Sequence, residues 1–171
     1  MLFRSGHEVW SCDTDGLLAH GGQGWAHSRP TRVQRRVGDH VQFGAAAKRP
    51  LADFDCIWMR KDPPFDIGYI AATYVLDLAP AGTRVFSRPE ALRSWNEKTS
   101  VLRFPQLAPP SLLTRSMNEI RAFQAEVGGS VVVKPLQFSG GAGIVALHPG
   151  DLNTRSLLEI STRLEIGRAH V

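Results

Sequence analysis

Apolar and polar positions along the chain alternate between short β-type runs and longer helical stripes. His7-Glu-Val-Trp-Ser-Cys12 reads as a strand entering Asp13-Thr-Asp-Gly16. Leu17-Leu-Ala19 and Trp25-Ala-His27 flank the reversal Gly21-Gly-Gln-Gly24, which predicts a β-hairpin. The pattern is weak from there to about Pro50. Asp55-Cys-Ile-Trp-Met59 is a short apolar run of the kind that fills a central parallel strand. It closes in Arg60-Lys-Asp-Pro-Pro-Phe-Asp66, whose two prolines withhold the N–H donors that a strand or helix needs. Ile67, Ile70, Ala71, Tyr74, Val75 and Leu78 recur at helical spacing and predict a helix packed along that stripe. With Arg84-Val-Phe-Ser87 as the next β run, residues 55–87 predict a strand, a crossover helix and a parallel strand.

The second half continues the alternation. Ser87 and Glu90 form a capping-box pattern, with Pro89 in the first turn where its missing N–H is harmless. The helix starting there carries Ala91, Leu92 and Trp95 inward and Asn96, Glu97 and Lys98 towards its end. A linker containing Pro105, Pro109 and Pro110 leads to a strand at Ser111-Leu-Leu-Thr114. Ser116 and Glu119 repeat the cap, Ile120, Phe123 and Val127 form a stripe, and Gly128-Gly129 supplies the helix stop. Ser130-Val-Val-Val-Lys-Pro135 is a β-branched strand, Phe138-Ser-Gly-Gly-Ala-Gly143 a flexible loop, and Ile144-Val-Ala-Leu147 a further strand. A last helix runs from about Asn153 towards Arg163.

Two end segments stand apart from this pattern. Met1–Ser5 and Glu165–Val171 resemble translated sequencing-adapter DNA, and permitted codon choices make the two peptides nearly reverse complements of each other. Both are set aside as non-native, and residues 6–164 are read as the natural part.

Composition narrows the class. The chain has 171 residues, 43% hydrophobic and 21% charged, as in ordinary globular domains. No run approaches the roughly 18 apolar residues that cross a bilayer, and no secretory h-region opens the chain. The expectation is therefore a cytoplasmic protein with no membrane association. The net charge of +4 gathers in Arg29, Arg32, Arg35, Arg36, Lys48 and Arg49. They form no single stripe with interleaved aromatics, so a solvated hairpin and loop is expected rather than a nucleic-acid surface. Cys12 and Cys56 lie in strand-like runs without metal-ligand neighbours and are read as buried free thiols. His7, His20, His27, His40 and His148 show no ligand spacing, and no metal site is expected in this stretch.

Chemistry concentrates in three places. Lys134, at the end of its strand, fixes an ammonium at a sheet edge. The glycines of Ser139-Gly-Gly-Ala-Gly143 let successive backbone N–H groups turn towards phosphate oxygens without a Cβ clash. No Lys-Ser/Thr follows the last glycine, and the glycines lie between two strands, so neither the Walker nor the dinucleotide fingerprint applies. A plain hairpin turn is the alternative. Lys98 is a second cation, read either as a complement to a helix dipole or as a phosphate contact. Arg60, Lys61 and Asp62 sit in the proline-stiffened loop at the carboxyl end of a parallel strand, where open α/β sheets place ligands. That loop is read as a carboxylate rim or as an internal Arg–Asp pairing.

Met59-Arg-Lys-Asp-Pro-Pro-Phe-Asp66, Ala72-Thr-Tyr74, Arg88-Pro89 with Leu92-Arg93, Asn96-Glu-Lys98, Phe104-Pro105, and Lys134-Pro-Leu136 with Gly140-Gly-Ala-Gly-Ile144 resemble prokaryotic glutathione synthetase in order and approximate spacing. The resemblance implies an α/β chain with a small parallel α/β N-terminal substrate domain over 6–90, its first strand missing. The first part of an ATP-grasp domain follows over 91–164. It implies ATP-dependent ligation of γ-glutamylcysteine to glycine through an acyl phosphate. The small molecules would be ATP, γ-glutamylcysteine and glycine, Mg²⁺ would be the metal, and the whole protein would be a homo-oligomer. By the same resemblance Lys98, Lys134, Ser139, Gly140, Gly141 and Gly143 are ATP contacts, and Arg60, Lys61 and Asp62 lie near the peptide substrate. Gln137-Phe138 departs from the Asp-Gly or similar small pair usual in the family. The metal ligands and the later catalytic loop are expected beyond residue 164, so this stretch is expected to be inactive alone. Another ATP-grasp carboxylate–amine ligase, or a nucleotide- or peptide-binding remnant, are the competing readings.

Overall fold

The computed structural model describes residues 6–61, 64–164 and 167–170. The chain divides into two compact units, the first made of Met1–Asp62 with Ile67–Arg93 and the second of Pro63–Asp66 with Ser94–Val171.

The first unit is organised by one long strand. After β1 (Trp10–Ser11), a short 3₁₀ turn (Thr14–Gly16) and β2 (Leu17–His20), the chain enters β3 (Gln23–Val33). Gly21 and Gly22 carry φ of 60° and 75°, as a two-residue hairpin turn between β2 and β3 demands. β3 then pairs antiparallel with β1, β4 (Val41–Phe43) and β5 (Ala47–Pro50) as well. Ala26 opposes both Leu17 of β2 and Arg49 of β5, so those two strands lie on opposite edges of β3. The inward positions of β3 are Gly24, Ala26, Ser28 and Thr31, all buried. They are small or hydroxylated, so where β3 continues past His27, through Ser28 and Thr31, no alternating large apolar residues announce it.

The predicted parallel unit is present. β6 (Cys56–Trp58) and β7 (Arg84–Phe86) pair in parallel, joined by α1 (Ile67–Leu76). α1 packs on a different face from the predicted stripe. Ala72, Thr73 and Leu76 are buried, whereas Ile67 is 82% and Tyr74 57% exposed. Close approach explains the choice: a Cβ on Gly24 would come within 2.6 Å of Leu51 Cδ1 and 2.9 Å of the Val75 carbonyl, so only small groups fit where β3 meets α1. Thr73 Oγ1 donates to the Ile70 carbonyl (2.6 Å) and accepts from Arg93 Nη1 (3.0 Å), which satisfies a wholly buried hydroxyl. Arg93 also pairs with Asp77 (2.7 Å) and lies over the Tyr74 ring. Ala26, Leu51 and Leu76 form the core with Leu17, Ile57, Val75 and Val85 around them.

Three expectations for this unit need correction. Only Trp10–Ser11 of the predicted strand 7–12 pairs as strand. Both cysteines are exposed rather than buried: Cys56 lies on the open face of the β6–β7 ribbon, beside Trp58 and Phe86. The basic stretch does meet aromatics, because pairing of β3 with β4 and β5 sets Arg29 over Phe43, Lys48 over Trp25, and Arg49 over Trp10 and Phe54. These contacts, with the ion pairs Arg49–Asp53 and Arg36–Asp39, engage four of the six cations on the unit's own surface.

The second unit begins where α2 (Pro89–Ser94) ends. α2 stops short of the predicted helix, so Trp95 is half exposed, stacked on Phe104 with the Arg103 guanidinium above it. Two 3₁₀ turns, Ser100–Arg103 and Pro105–Leu107, fill the proline linker. A four-stranded antiparallel sheet follows, in the order β10 (Val145–Leu147), β9 (Val131–Pro135), β11 (Gly167–His170) and β8 (Ser111–Thr114). β11 comes from the segment that the sequence reading sets aside. α3 (Met117–Val127) starts as expected: Ser116 Oγ accepts from the Glu119 N–H at 3.3 Å, and Gly128 ends the helix at φ 68°. Ile120 of α3 and Leu158 of α4 (Thr154–Leu164) close one face of the sheet over Val131, Val133 and Leu147.

Replacing Gly24 with Ala is expected to destabilise the first unit by about 1–3 kcal/mol through overpacking against Leu51 and the α1 backbone. Chemical denaturation checks it, with Gly82→Ala, where the added methyl meets nothing, as the neutral control. The cysteines are expected to differ in reactivity. Although the residue is exposed, partial desolvation of its sulfur first, then the charges of Asp13 and Asp15, push the Cys12 thiol up, and the sulfur donates to the Asp13 carbonyl. At pH 8 iodoacetamide is therefore expected to label Cys56 well before Cys12, read by peptide mass spectrometry.

Candidate functional site

β9 alternates cleanly. Val131 and Val133 turn into the core while Lys134 turns to the opposite face of the sheet, and the buried Pro135 lines the same cavity as Lys134. The chain leaves β9 through Leu136-Gln137-Phe138 and reverses through glycines at positive φ (Gly140 62°, Gly141 84°, Gly143 70°) before returning as β10. At Gly140 and Gly141 an added Cβ would meet nothing, so glycine is used there for its backbone freedom. At Gly143 a Cβ would lie 3.0 Å from Pro135 Cγ and 3.2 Å from Phe138 Cδ2, so close packing is required as well.

Lys98 reaches this reversal from outside the sheet. It lies not in a helix but in a turn after α2, where Asn96 Oδ1 accepts the Lys98 N–H at 2.8 Å. Its ammonium donates to the carbonyls of Phe138 (2.6 Å) and Leu136 (3.3 Å) and to Glu97 Oε1 (2.8 Å). The Gln137 carbonyl accepts from the Phe65 N–H at 3.3 Å. Three successive carbonyls just after β9 are thus held, and the turn beyond them closes on its own backbone, with the Ala142 N–H donating to Ser139 O (3.2 Å) and the Ile144 N–H to Gly141 O (3.4 Å). The Lys98 side chain is only 15% exposed against 70% for Glu97. Charge-assisted hydrogen bonds typically contribute about 1.5–3 kcal/mol where they are sheltered, as at the part-buried Leu136 carbonyl. An ion pair to an exposed carboxylate contributes about 0–1 kcal/mol.

Lys98, Lys134, Ser139, Gly140 and Gly141 line one cavity of about 310 Å³, together with Glu97, Pro135, Phe138, Ala142 and Ile144. Five of the six predicted nucleotide contacts are therefore brought together. Gly143 does not line the cavity and shapes the loop instead. Arg60 and Lys61 belong to the first unit and are exposed, and Asp62 lies outside the described residues. The helix-dipole reading of Lys98 fails, since the helix ends before it. Glu97 and the anchored carbonyls were missed by sequence reasoning; the adjacent charges in Asn96-Glu-Lys98 were the available signal.

This arrangement suits an anion. Two ammonium groups face one cavity beside a turn whose glycines free backbone N–H groups to point outward. Among the described residues no group of three or more His, Cys, Asp or Glu side chains could hold a metal, and no helix is long and apolar enough to cross a membrane.

Comparison with known proteins assigns the family. The prokaryotic glutathione synthetase N-terminal domain matches residues 2–93, and the prokaryotic glutathione synthetase ATP-grasp domain matches residues 97–169. The chain belongs to the prokaryotic glutathione synthetase family. It is 40% identical over 163 residues to the glutathione synthetase of Parasynechococcus marenigrum, covering 95% of this chain and 52% of that protein. It is 42% identical over 168 residues to that of Synechococcus elongatus (92% and 52%) and 40% identical over 162 residues to that of Yersinia pestis (94% and 50%). The chain spans about half the length of these glutathione synthetases. Among solved structures it resembles D-alanyl-alanine synthetase A from Vibrio cholerae with a TM-score of 0.55 and 17% identity, over 90% of this chain and 48% of the other. It also resembles the ATP-grasp ligase PsnB in complex with a minimal precursor, with a TM-score of 0.51 and 21% identity, over 99% and 56%. These two likenesses concern the fold, an α/β architecture with part of an ATP-grasp domain.

Gly143→Ala is expected to destabilise the second unit by about 1 kcal/mol or more, because an L side chain is strained at φ 70° and has no room beside Pro135. Gly129→Ala, with open space and no positive φ, is the control expected to unfold at the wild-type denaturant midpoint.

Proposed function

We propose that the whole protein joins γ-glutamylcysteine to glycine at the expense of ATP, and that the cavity under the glycine turn receives the polyphosphate. The observation carrying this reading is that Lys98 and Lys134 line one cavity with Ser139, Gly140 and Gly141 in a member of the glutathione synthetase family. The chemistry has two steps. An oxygen of the cysteinyl carboxylate attacks the γ-phosphorus, the bond to the β-phosphate bridging oxygen breaks, and ADP leaves. The glycine amine then attacks the carbonyl carbon of the acyl phosphate, the C–O bond breaks, inorganic phosphate leaves with the electron pair, and the nitrogen loses its proton.

The work of this chain's residues is positioning and charge compensation. Lys134, whose backbone is fixed on a strand with buried neighbours, offers its ammonium from a rigid base. Lys98, already anchored on the Leu136 and Phe138 carbonyls, meets charge developing on the transferring phosphoryl group without reorganisation. Gly140 and Gly141 supply the conformational freedom with which backbone N–H groups turn onto phosphate oxygens. Arg60 and Lys61, with Asp62, are proposed to face the dipeptide carboxylates. MgATP is the proposed form of the nucleotide. The described residues do not fit a magnesium site, and no step is assigned through the metal. A cytoplasmic, homo-oligomeric enzyme that acts on small molecules, away from nucleic acid and membranes, completes the reading.

The test is isotopic. Incubated with ATP, glycine and γ-glutamylcysteine labelled with ¹⁸O in the cysteinyl carboxylate, the protein is expected to yield glutathione and to transfer one ¹⁸O to inorganic phosphate, both read by mass spectrometry. Lys98→Met and Lys134→Met are each expected to lower kcat/KM by about 10²–10³-fold. Formation of a different amide from another amine would replace glycine ligation with a different carboxylate–amine ligation. Phosphate released without ¹⁸O would exclude the acyl phosphate.

A further inference from the structure

Glu97 lines the polyphosphate cavity, yet it is an acid where an anion is to bind. Its Oε1 accepts from Lys98 Nζ at 2.8 Å while its side chain stays 70% exposed. Among its described partners, Lys98 Nζ donates to two backbone carbonyls and to this carboxylate. A phosphate oxygen entering the cavity competes with these acceptors for the ammonium. The carbonyls are main-chain groups of the segment that follows β9, and the Gln137 carbonyl between them is held by the Phe65 N–H. The carboxylate is on a solvent-facing side chain and is free to turn away. Its negative charge also repels the incoming group at contact distance, and that repulsion ends when it leaves.

We propose that Glu97 is a placeholder anion that holds an N–H of Lys98 until the polyphosphate displaces it, and so sets the affinity of the cavity. Displacement couples binding to a local rearrangement. With Glu97 gone, Lys98 bridges the β9 carbonyls and the phosphate, so the ammonium tightens the hinge from which the glycine turn swings. An anion too weak to compete with a carboxylate, such as a single chloride, leaves Glu97 in place, whereas a polyphosphate offers several charges at once. The carboxylate thus selects for highly charged anions. The inference rests on the proposal that this cavity receives a polyphosphate.

Affinities for ADP and for inorganic tripolyphosphate, each with EDTA and with excess Mg²⁺, are measured by calorimetry for wild type, Glu97→Gln, Lys98→Met and Lys134→Met. Glu97→Gln keeps the size and the acceptor oxygen and removes the charge. It is expected to tighten ADP and tripolyphosphate binding roughly threefold to thirtyfold at low salt, with and without Mg²⁺. The gain is expected to shrink at about 0.5 M salt, where charges a few ångströms apart are screened. Unchanged or weaker binding in Glu97→Gln, while either lysine variant loses affinity about tenfold or more, overturns the placeholder role and leaves the cavity assignment standing. Weakening confined to the Mg²⁺ arm makes Glu97 a metal contact and likewise overturns it. Lysine variants that bind like wild type overturn the cavity assignment and the placeholder with it. Absence of binding in every protein does the same, and binding gained only by Glu97→Gln supports the proposal. Where Lys98→Met fails to fold by circular dichroism, Lys134→Met decides.

Discussion

The ammonium of Lys98, bonded to the backbone carbonyls of Leu136 and Phe138, is the interaction on which the candidate site depends. A sheltered cation must be matched by acceptors, and here two of them are main-chain groups that a single strand end presents side by side. The same contact does two things. It places positive charge at the mouth of the glycine turn, and it fixes the residues from which that turn springs. Freedom can therefore be confined to the segment from Ser139 to Gly143, where glycine permits it, while β9 stays rigid because Val131 and Val133 are buried under α3 and α4. A mobile anion clamp on a rigid base is what a site that must admit and then enclose a charged ligand requires.

The fold was most legible where local signals and burial coincide. α3 carried a Ser116 cap, a glycine stop and an apolar stripe, and all three appear in the structure. The parallel pair β6 and β7 was legible for a similar reason, since short apolar runs flank a helical segment. β3 was only partly visible, because its buried side is made of Gly24, Ala26, Ser28 and Thr31, chosen for closeness rather than hydrophobicity. The face of α1 was misjudged for a related cause: the helix buries Ala72, Thr73 and Leu76, and its Val75 carbonyl approaches β3 closely at Gly24, which the apparent apolar stripe does not announce. Cys56 was misread as buried because a β-branched and aromatic neighbourhood signals a strand, and says nothing of whether both of its faces are covered.

At the site, the type of residue was legible and its partners were not. Lysine at a strand end followed by glycines reads as phosphate chemistry from sequence alone, and the structure brings Lys98 to the same cavity from a distant turn. What spacing could not reveal is that Lys98 sits in a side-chain-capped turn beyond a shorter helix, with Asn96 shaping the backbone and Glu97 completing the coordination of the ammonium. Hydrogen bonds to main-chain carbonyls leave no mark on residue identity. Family membership, shown over both matched regions, gives these contacts a setting, and the departure at Gln137-Phe138 leaves the clamp intact because it is made by backbone atoms.

The most direct test of the central claim is a crystal structure of the protein with a non-hydrolysable ATP analogue. The account predicts both Lys98 Nζ and Lys134 Nζ within hydrogen-bond distance of the triphosphate, with the glycine turn folded onto it and the Leu136 and Phe138 carbonyls still bonded to Lys98. A triphosphate bound away from this cavity, or in contact with neither lysine, would contradict it.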